Sequence, residues 1–175
     1  MRSSVTMFSC RKVPYDDGKN KARGETSMAD IVTPEVRSRM MAGIKGKDTR
    51  PEILLRKALH ARGLRYRTGV RRLPGSPDIV LPRWRTVVFV HGCFWHRHAG
   101  CPRTTMPKTR PDFWTAKFAA NVERDARNEA LLLEGGWRVA IVWECRIGRV
   151  VAPPELTDDV VDFIRSAYPS YTEIG

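Results

Sequence analysis

The eleven residues from His91 to Cys101 constrain this chain more than any other stretch. They hold three of its four histidines, two of its four cysteines and two large aromatics. They follow Thr86-Val87-Val88-Phe89-Val90, an apolar run that reads as a buried strand. Soft metal ligands, a proton acceptor and two rings therefore gather at one strand end. Packing alone rarely asks for that mixture, so a loop held against a sheet is expected here.

The flanking sequence supplies the sheet. Ile79-Val80-Leu81 and 86–90 are two apolar runs joined by Pro82-Arg83-Trp84-Arg85, which predicts an antiparallel hairpin. Leu64 to Thr68 reads as an edge strand, and Leu73 to Asp78 as a turn. A long helix is expected from Asp112 to Glu134, closed by Gly135-Gly136, with a strand from Trp137 to Trp143 after it. Two helices should precede the sheet. One opens at Thr33-Pro34-Glu35; the other is capped by Asp48 or Thr49, runs through Ile53, Leu54, Leu55, Ala58 and Leu59, and ends at Gly63. A last helix should span Leu156 to Ala167, after Pro153-Pro154. That order argues an α/β fold, a mixed sheet flanked by helices. Residues 1–32 are polar and aperiodic, which predicts a disordered tail. A single domain is expected over 33–168, with a short C-terminal tail at 169–175.

The charge names a partner class. The chain carries 31 Lys and Arg against 19 Asp and Glu, a formal net charge of +12. The tail holds six basic and four acidic residues, so the basic excess belongs to the domain. A polyanion is expected, nucleic acid before membrane. No apolar run reaches the roughly 18 residues of a membrane helix, and the first 30 residues lack an apolar signal core. An intracellular, cytoplasmic and nucleoid-associated protein is therefore expected. There, cysteines serve metal or remain free more often than they form disulfides.

Three sets of residues carry chemistry. Cys93, His98 and Cys101 share one loop, and Cys145 arrives from the end of the next strand. Three thiolates and one imidazole make a closed tetrahedral zinc set, structural because no position stays open; the plainer reading is buried free cysteines. His91 and His96 are then left over. His96 can accept a proton from water, Asp125 can orient it, and Asp78 at a strand end beside a strand-end carbonyl suits magnesium. Trp114, Phe118, Asn121 and Asp125 share one face of the long helix. With Phe94 and Trp95, Trp114 is either core or a wedge for base pairs. Glu52, in a first helical turn, ordinarily stabilises the helix dipole. The basic stretch Arg37 to Ile44, with Met40 and Met41, packs on the domain or lies on DNA.

Leu73-Pro74-Gly75-Ser76-Pro77-Asp78-Ile79-Val80-Leu81, Phe89-Val90-His91-Gly92-Cys93-Phe94-Trp95-His96, Asn121-Val122-Glu123-Arg124-Asp125, Gly136-Trp137-Arg138-Val139 and Trp143-Glu144-Cys145 closely resemble the very short patch repair (Vsr-type) DNA mismatch endonucleases. The similarity runs from about 33 to 147, in order. It implies a restriction-endonuclease-like fold with a structural zinc, and a magnesium-dependent nick 5′ to the thymine of a T·G mismatch left by deaminated 5-methylcytosine. By position, it implies that Asp78 binds magnesium through its carboxylate and Val90 through its main-chain carbonyl. His96 would activate water with support from Asp125, while Glu52 and His91 act through metal-bound waters. Cys93, His98, Cys101 and Cys145 would hold zinc. Phe94, Trp95 and Trp114 would intercalate beside the mismatch, with Met41 reaching into the stack from a helix across the minor groove. Val90 stands where threonine also occurs, which a carbonyl ligand tolerates. The partner implied is mismatched duplex DNA. A monomer is expected, and mismatch-repair proteins are candidate partners.

Two other classes compete on residues alone. A zinc-stabilised DNA-binding module without catalysis has no use for Asp78, His96 and Asp125 together. A zinc hydrolase for small substrates needs an open metal position, which four firm ligands exclude.

Overall fold

The computed structural model describes Val36, Arg39, Gly43 and residues 46–175. Met41, most of the stretch 37–44 and the tail 1–32 lie outside the described residues. Val36 and Arg39 are helical. Lys45–Gly175 is one compact unit, and it carries the sheet.

Helix α1 (Arg50–Ala61) starts after Thr49, with Pro51 and Glu52 in its first turn. It ends at Arg62, and Gly63 takes a positive φ of 82° to turn the chain away. Its inward face differs from the apolar stripe expected. Leu55 and Leu59 are fully buried and the polar Glu52 and Arg56 are buried beside them, while Ile53 is exposed. These four share the i, i+3, i+4 spacing of one face, and the two polar members satisfy each other there.

Strand β1 (Ile79–Leu81) and β2 (Thr86–His91) form the expected antiparallel hairpin, joined by a 3-10 turn at Pro82–Trp84. Arg85 closes that turn in the left-handed region. Next come a single helical turn, α2 (Cys93–His96), and the long helix α3 (Pro111–Glu134). Helix α3 carries the chain back so that β3 (Arg138–Trp143) lies parallel to β2, with His91 opposite Trp143. Helix α4 (Pro154–Arg165) makes a second crossover to β4 (Tyr171–Ile174), parallel to β3. The sheet order is β1-β2-β3-β4. The result is a mixed sheet with flanking helices, consistent with a restriction-endonuclease-like fold.

Two expectations at the sheet edges change. Residues 64–68 form no strand; only Arg67 bridges, exchanging main-chain hydrogen bonds with Val80. Residues 169–175 contain β4 rather than only a tail. Arg138 helps deliver it: its guanidinium donates to the Phe163 and Ile164 carbonyls at the end of α4 and to Pro169 before β4. A cation is favoured at that negative helix end.

Period-two alternation divides the core between the two sheet faces. Ile79, Leu81, Val88, Ala140 and Val142 pack with Leu55 and Leu59 of α1 and Leu156, Val160 and Ile164 of α4. Val80, Val87, Phe89, Val139, Ile141 and Trp143 face the other way, with Cys93 and Leu132. Both faces are covered, so strands β2 and β3 read as nearly unbroken apolar runs. The C-terminal ends of these parallel neighbours, His91 and Trp143, thus come side by side.

Candidate active site and metal centre

Strand β2 ends at His91, and Gly92 turns the chain into α2. The Gly92 carbonyl accepts from both Trp95 N–H and His96 N–H at 3.1 Å, which winds the turn tightly. Arg97 then leaves it in the left-handed region. Helix α3 docks on this turn through the face read from sequence. The Asn121 side-chain amide donates to the Trp95 carbonyl at 3.1 Å, and Asp125 Oδ2 lies 2.6 Å from His96 Nδ1.

Arg124 grips the other Asp125 oxygen at 2.8 and 3.2 Å. Burial would raise the Asp125 carboxyl, but hydrogen bonds from His96 and Arg124 outweigh it and hold it below its usual range. An ionised carboxylate only accepts, so His96 donates through Nδ1; in the neutral ring this tautomer leaves the lone pair on Nε2. His91 stacks on His96 with centroids 3.8 Å apart and planes within 13°. Burial first, then the adjacent His96, pushes His91 down to about 3, so it is a neutral ring. His91, His96 and Asp125 lie close enough to be considered as metal ligands. Stacked imidazoles, however, hold their in-plane lone pairs in nearly parallel planes, a poor geometry for converging on one ion.

Asp78 stands just before β1. Its Oδ2 accepts the Val90 N–H at 2.8 Å, so the contact seen between these two residues runs through the amide of Val90. Burial pushes the Asp78 carboxyl up to about 6; the Val90 hydrogen bond opposes this, Glu52 adds to it, and Arg56 and His96 oppose it. A carboxylate short of positive charge is suited to a cation.

Glu52 is more than a dipole partner. Its Oε2 accepts from Asp48 N–H at 3.0 Å and Arg56 at 2.9 Å, and its Oε1 accepts the Thr49 hydroxyl at 2.7 Å. Arg56, absent from the sequence reading, joins these groups. It donates from Nε and Nη2 to the Asp78 carbonyl at 3.2 and 3.1 Å, and from Nη1 to Asp48 at 2.6 Å. The only sequence signal was its place four residues after Glu52, a spacing common to surface ion pairs.

Cys93, His98, Cys101 and Cys145 converge, with one ligand atom from each and all four within 4.8 Å of one another. His98 Nδ1 is 3.6 Å from Cys93 Sγ and 3.4 Å from Cys145 Sγ. A tetrahedral ion about 2.3 Å from sulfur and about 2.0 Å from nitrogen needs roughly 3.5 Å along that edge, so the set fits zinc dimensions. Burial pushes the Cys93 thiol up to about 12, a penalty that a bound cation would remove. Glu144, also missed in the sequence, accepts the Cys93 N–H at 3.0 Å and braces the start of the loop.

The wedge candidates form one ring cluster. Phe94 lies 5.1 Å from Trp95 and 5.7 Å from Trp114, and the two tryptophans are 6.0 Å apart. All three are partly exposed, while Phe118 is buried beneath them. Phe113, unread in the sequence, adds an exposed ring 5.4 Å from Trp114.

The model of the family described as DNA mismatch endonuclease Vsr matches residues 29–103. The chain is 46% identical over 135 residues to the type II nicking enzyme V.XorIIP of Xanthomonas oryzae pv. oryzae, covering 77% of this chain and 98% of that protein. This chain belongs to the Vsr family of DNA mismatch endonucleases. It is also 44% identical over 135 residues to the DNA mismatch endonuclease Vsr of Escherichia coli, covering 77% of this chain and 83% of that one. The type II nicking enzyme V.NmeAIP of Neisseria meningitidis is 44% identical over 140 residues, covering 80% and 99%. As a Vsr-family endonuclease the chain acts on DNA, which accounts for its net charge of +12. Among the described residues no helix is long and apolar enough to cross a membrane.

Proposed function

We propose that this Vsr-family endonuclease nicks one strand of duplex DNA 5′ to the thymine of a T·G mismatch, such as deamination of 5-methylcytosine leaves, and so initiates very short patch repair. The observation that carries the reading is the 2.6 Å His96–Asp125 pair within electrostatic reach of Asp78. The description of relatives as nicking enzymes accords with cleavage of one strand.

The Asp78 carboxylate and the Val90 main-chain carbonyl would hold magnesium. When bound, that ion supplies charge at the scissile phosphate and at the leaving oxygen. His96 takes a proton from the attacking water at Nε2, and Asp125 keeps the ring oriented and steadies the imidazolium. Neutral His91 accepts hydrogen bonds from water. Glu52 has roughly one of its four acceptor sites left after its three donors, enough to orient one water. Cys93, His98, Cys101 and Cys145 would hold a structural zinc, four protein ligands that serve the fold rather than the reaction.

Phe94, Trp95 and Trp114 enter the duplex. Separating stacked bases costs a few kcal/mol per step and least at a mispair, so the wedge itself selects damaged sites. The working form is a monomer on DNA. Mismatch-repair proteins are its candidate partners in the cell.

Nicking of T·G and T·A duplexes with magnesium tests this. Strand-specific cleavage of the T·G duplex alone is expected. Equal cleavage of both, or none of either, overturns the proposal.

A further inference from the structure

Two rings, Trp143 and His91, stand in successive contact between His98 of the metal centre and His96, the general base. His98 lies flat on Trp143, with centroids 4.2 Å apart and planes within 4°. Trp143 meets His91 edge-on at 5.5 Å and 72°, and His91 lies flat on His96 at 3.8 Å. The His96 ring then bonds Asp125. Trp143 is buried, and the β2–β3 register sets it directly opposite His91. Its indole N–H points to Glu173 Oε2 at 3.4 Å, and the other Glu173 oxygen accepts the Tyr171 hydroxyl at 2.6 Å.

Among the described residues no side-chain hydrogen bond holds the His91 ring; Phe89, Trp143 and His96 are its ring contacts. Its rotamer is therefore set by packing. We infer that Trp143 is a positioning residue for the nicking reaction: it fixes His91, and through it His96, relative to the metal centre, while Glu173 of β4 fixes the rotation of the indole. Loss of the indole leaves room into which His91 can turn, and the face that His91 offers to His96 goes with it. The bond from His96 to Asp125 is short and directional, so a modest tilt of the ring weakens it.

The inference rests on the reading of His96 as base and of the cysteine set as zinc ligands. The test uses the zinc-loaded full chain with Trp143→Leu, Trp143→Phe and Glu173→Ala. Three quantities are measured: bound zinc, the low-field NMR proton of the His96–Asp125 hydrogen bond, and kcat and KM on a T·G duplex. Trp143→Leu should keep one zinc, lose or broaden the low-field proton, and lower kcat about 10- to 100-fold. Its KM should stay within about twofold, since DNA contacts are untouched. Trp143→Phe should restore most of both signals, and Glu173→Ala should move them the same way by less.

A zinc-loaded Trp143→Leu protein with an intact low-field proton and unchanged kcat overturns the inference. So does a kcat loss that only tracks lost zinc. Should Trp143→Leu fail to fold, Glu173→Ala decides on the same two signals. Failure of the nicking reading would show instead in the unmodified chain, as absent preference for T·G, with the proton and zinc measurements still informative.

Discussion

His96 Nδ1 lies 2.6 Å from Asp125 Oδ2, across the contact between a four-residue helical turn and a 24-residue helix. The residues are 29 apart in sequence, yet the bond is as short as a charge-assisted one. With Asp125 ionised, a neutral His96 carries its proton on Nδ1, and the proposed role of Nε2 is to take the proton of water. Replacing His96 by Ala should lower single-turnover nicking by about 10²- to 10⁴-fold, the usual worth of a general base, with duplex binding retained. Asp125→Asn should fall in the same range. Nicking kinetics paired with gel-shift binding distinguish this from a simple loss of affinity.

Asp78 gives a pH signature. Its folded value of about 6 lies above its ordinary 3.8, so between these values the folded chain holds a proton that the unfolded chain has released. Stability from this group is therefore present below about pH 4 and lost as pH rises through about 6. Other groups titrate in the same window, His91 in the opposite sense, so the informative quantity is a difference. Without divalent cations, the original chain should lose on the order of 3 kcal/mol relative to Asp78→Asn across that window. Magnesium should shrink the difference. Denaturant melts of both proteins at several pH values measure it.

Cys145 brings a thiol from the end of β3 to the loop from Cys93 to Cys101, where the proposed zinc would tie the two. With Cys145→Ser, bound zinc should fall, and the melting temperature should drop by roughly 10 °C for a few kcal/mol lost. A strong chelator should produce the same drop in the original chain and no further change in the variant. Metal analysis and thermal melts check both.

Arg56 is buried among Asp48, Glu52 and the Asp78 carbonyl. Arg56→Met strands the Glu52 charge in the interior and should cost about 3–5 kcal/mol. Arg56→Lys keeps the charge but not the planar fork, so it should recover part of that stability and little of the activity. Urea unfolding read beside nicking rates resolves the two effects.

Much of the site was legible because its signals are local or periodic. Cys93, His98 and Cys101 fall within nine residues, and Trp114, Phe118, Asn121 and Asp125 follow helical spacing, so their shared face needed no coordinates. Arg56, Glu144, Trp143 and Glu173 were not read as site residues. Each acts through a partner brought near by sheet register or helix docking, and each looks ordinary in its own neighbourhood. Strand β4 escaped for a related reason: Tyr171-Thr172-Glu173-Ile174 is short and half polar, and becomes a strand only against the open edge of β3.

The sequence by itself determined the cysteine and histidine set that the fold brings together, the basic charge and the alternation that buries both sheet faces. These are properties of composition and spacing, and they survive without knowledge of the fold. Tertiary structure alone decided that His98, Trp143, His91 and His96 touch in succession, that Arg56 holds Asp78 and Glu52 together, and that β4 forms the edge of the sheet. Those relations depend on which strands pair and in what register. A shift of one residue would turn every side chain of a strand to the opposite face and separate the rings that now touch.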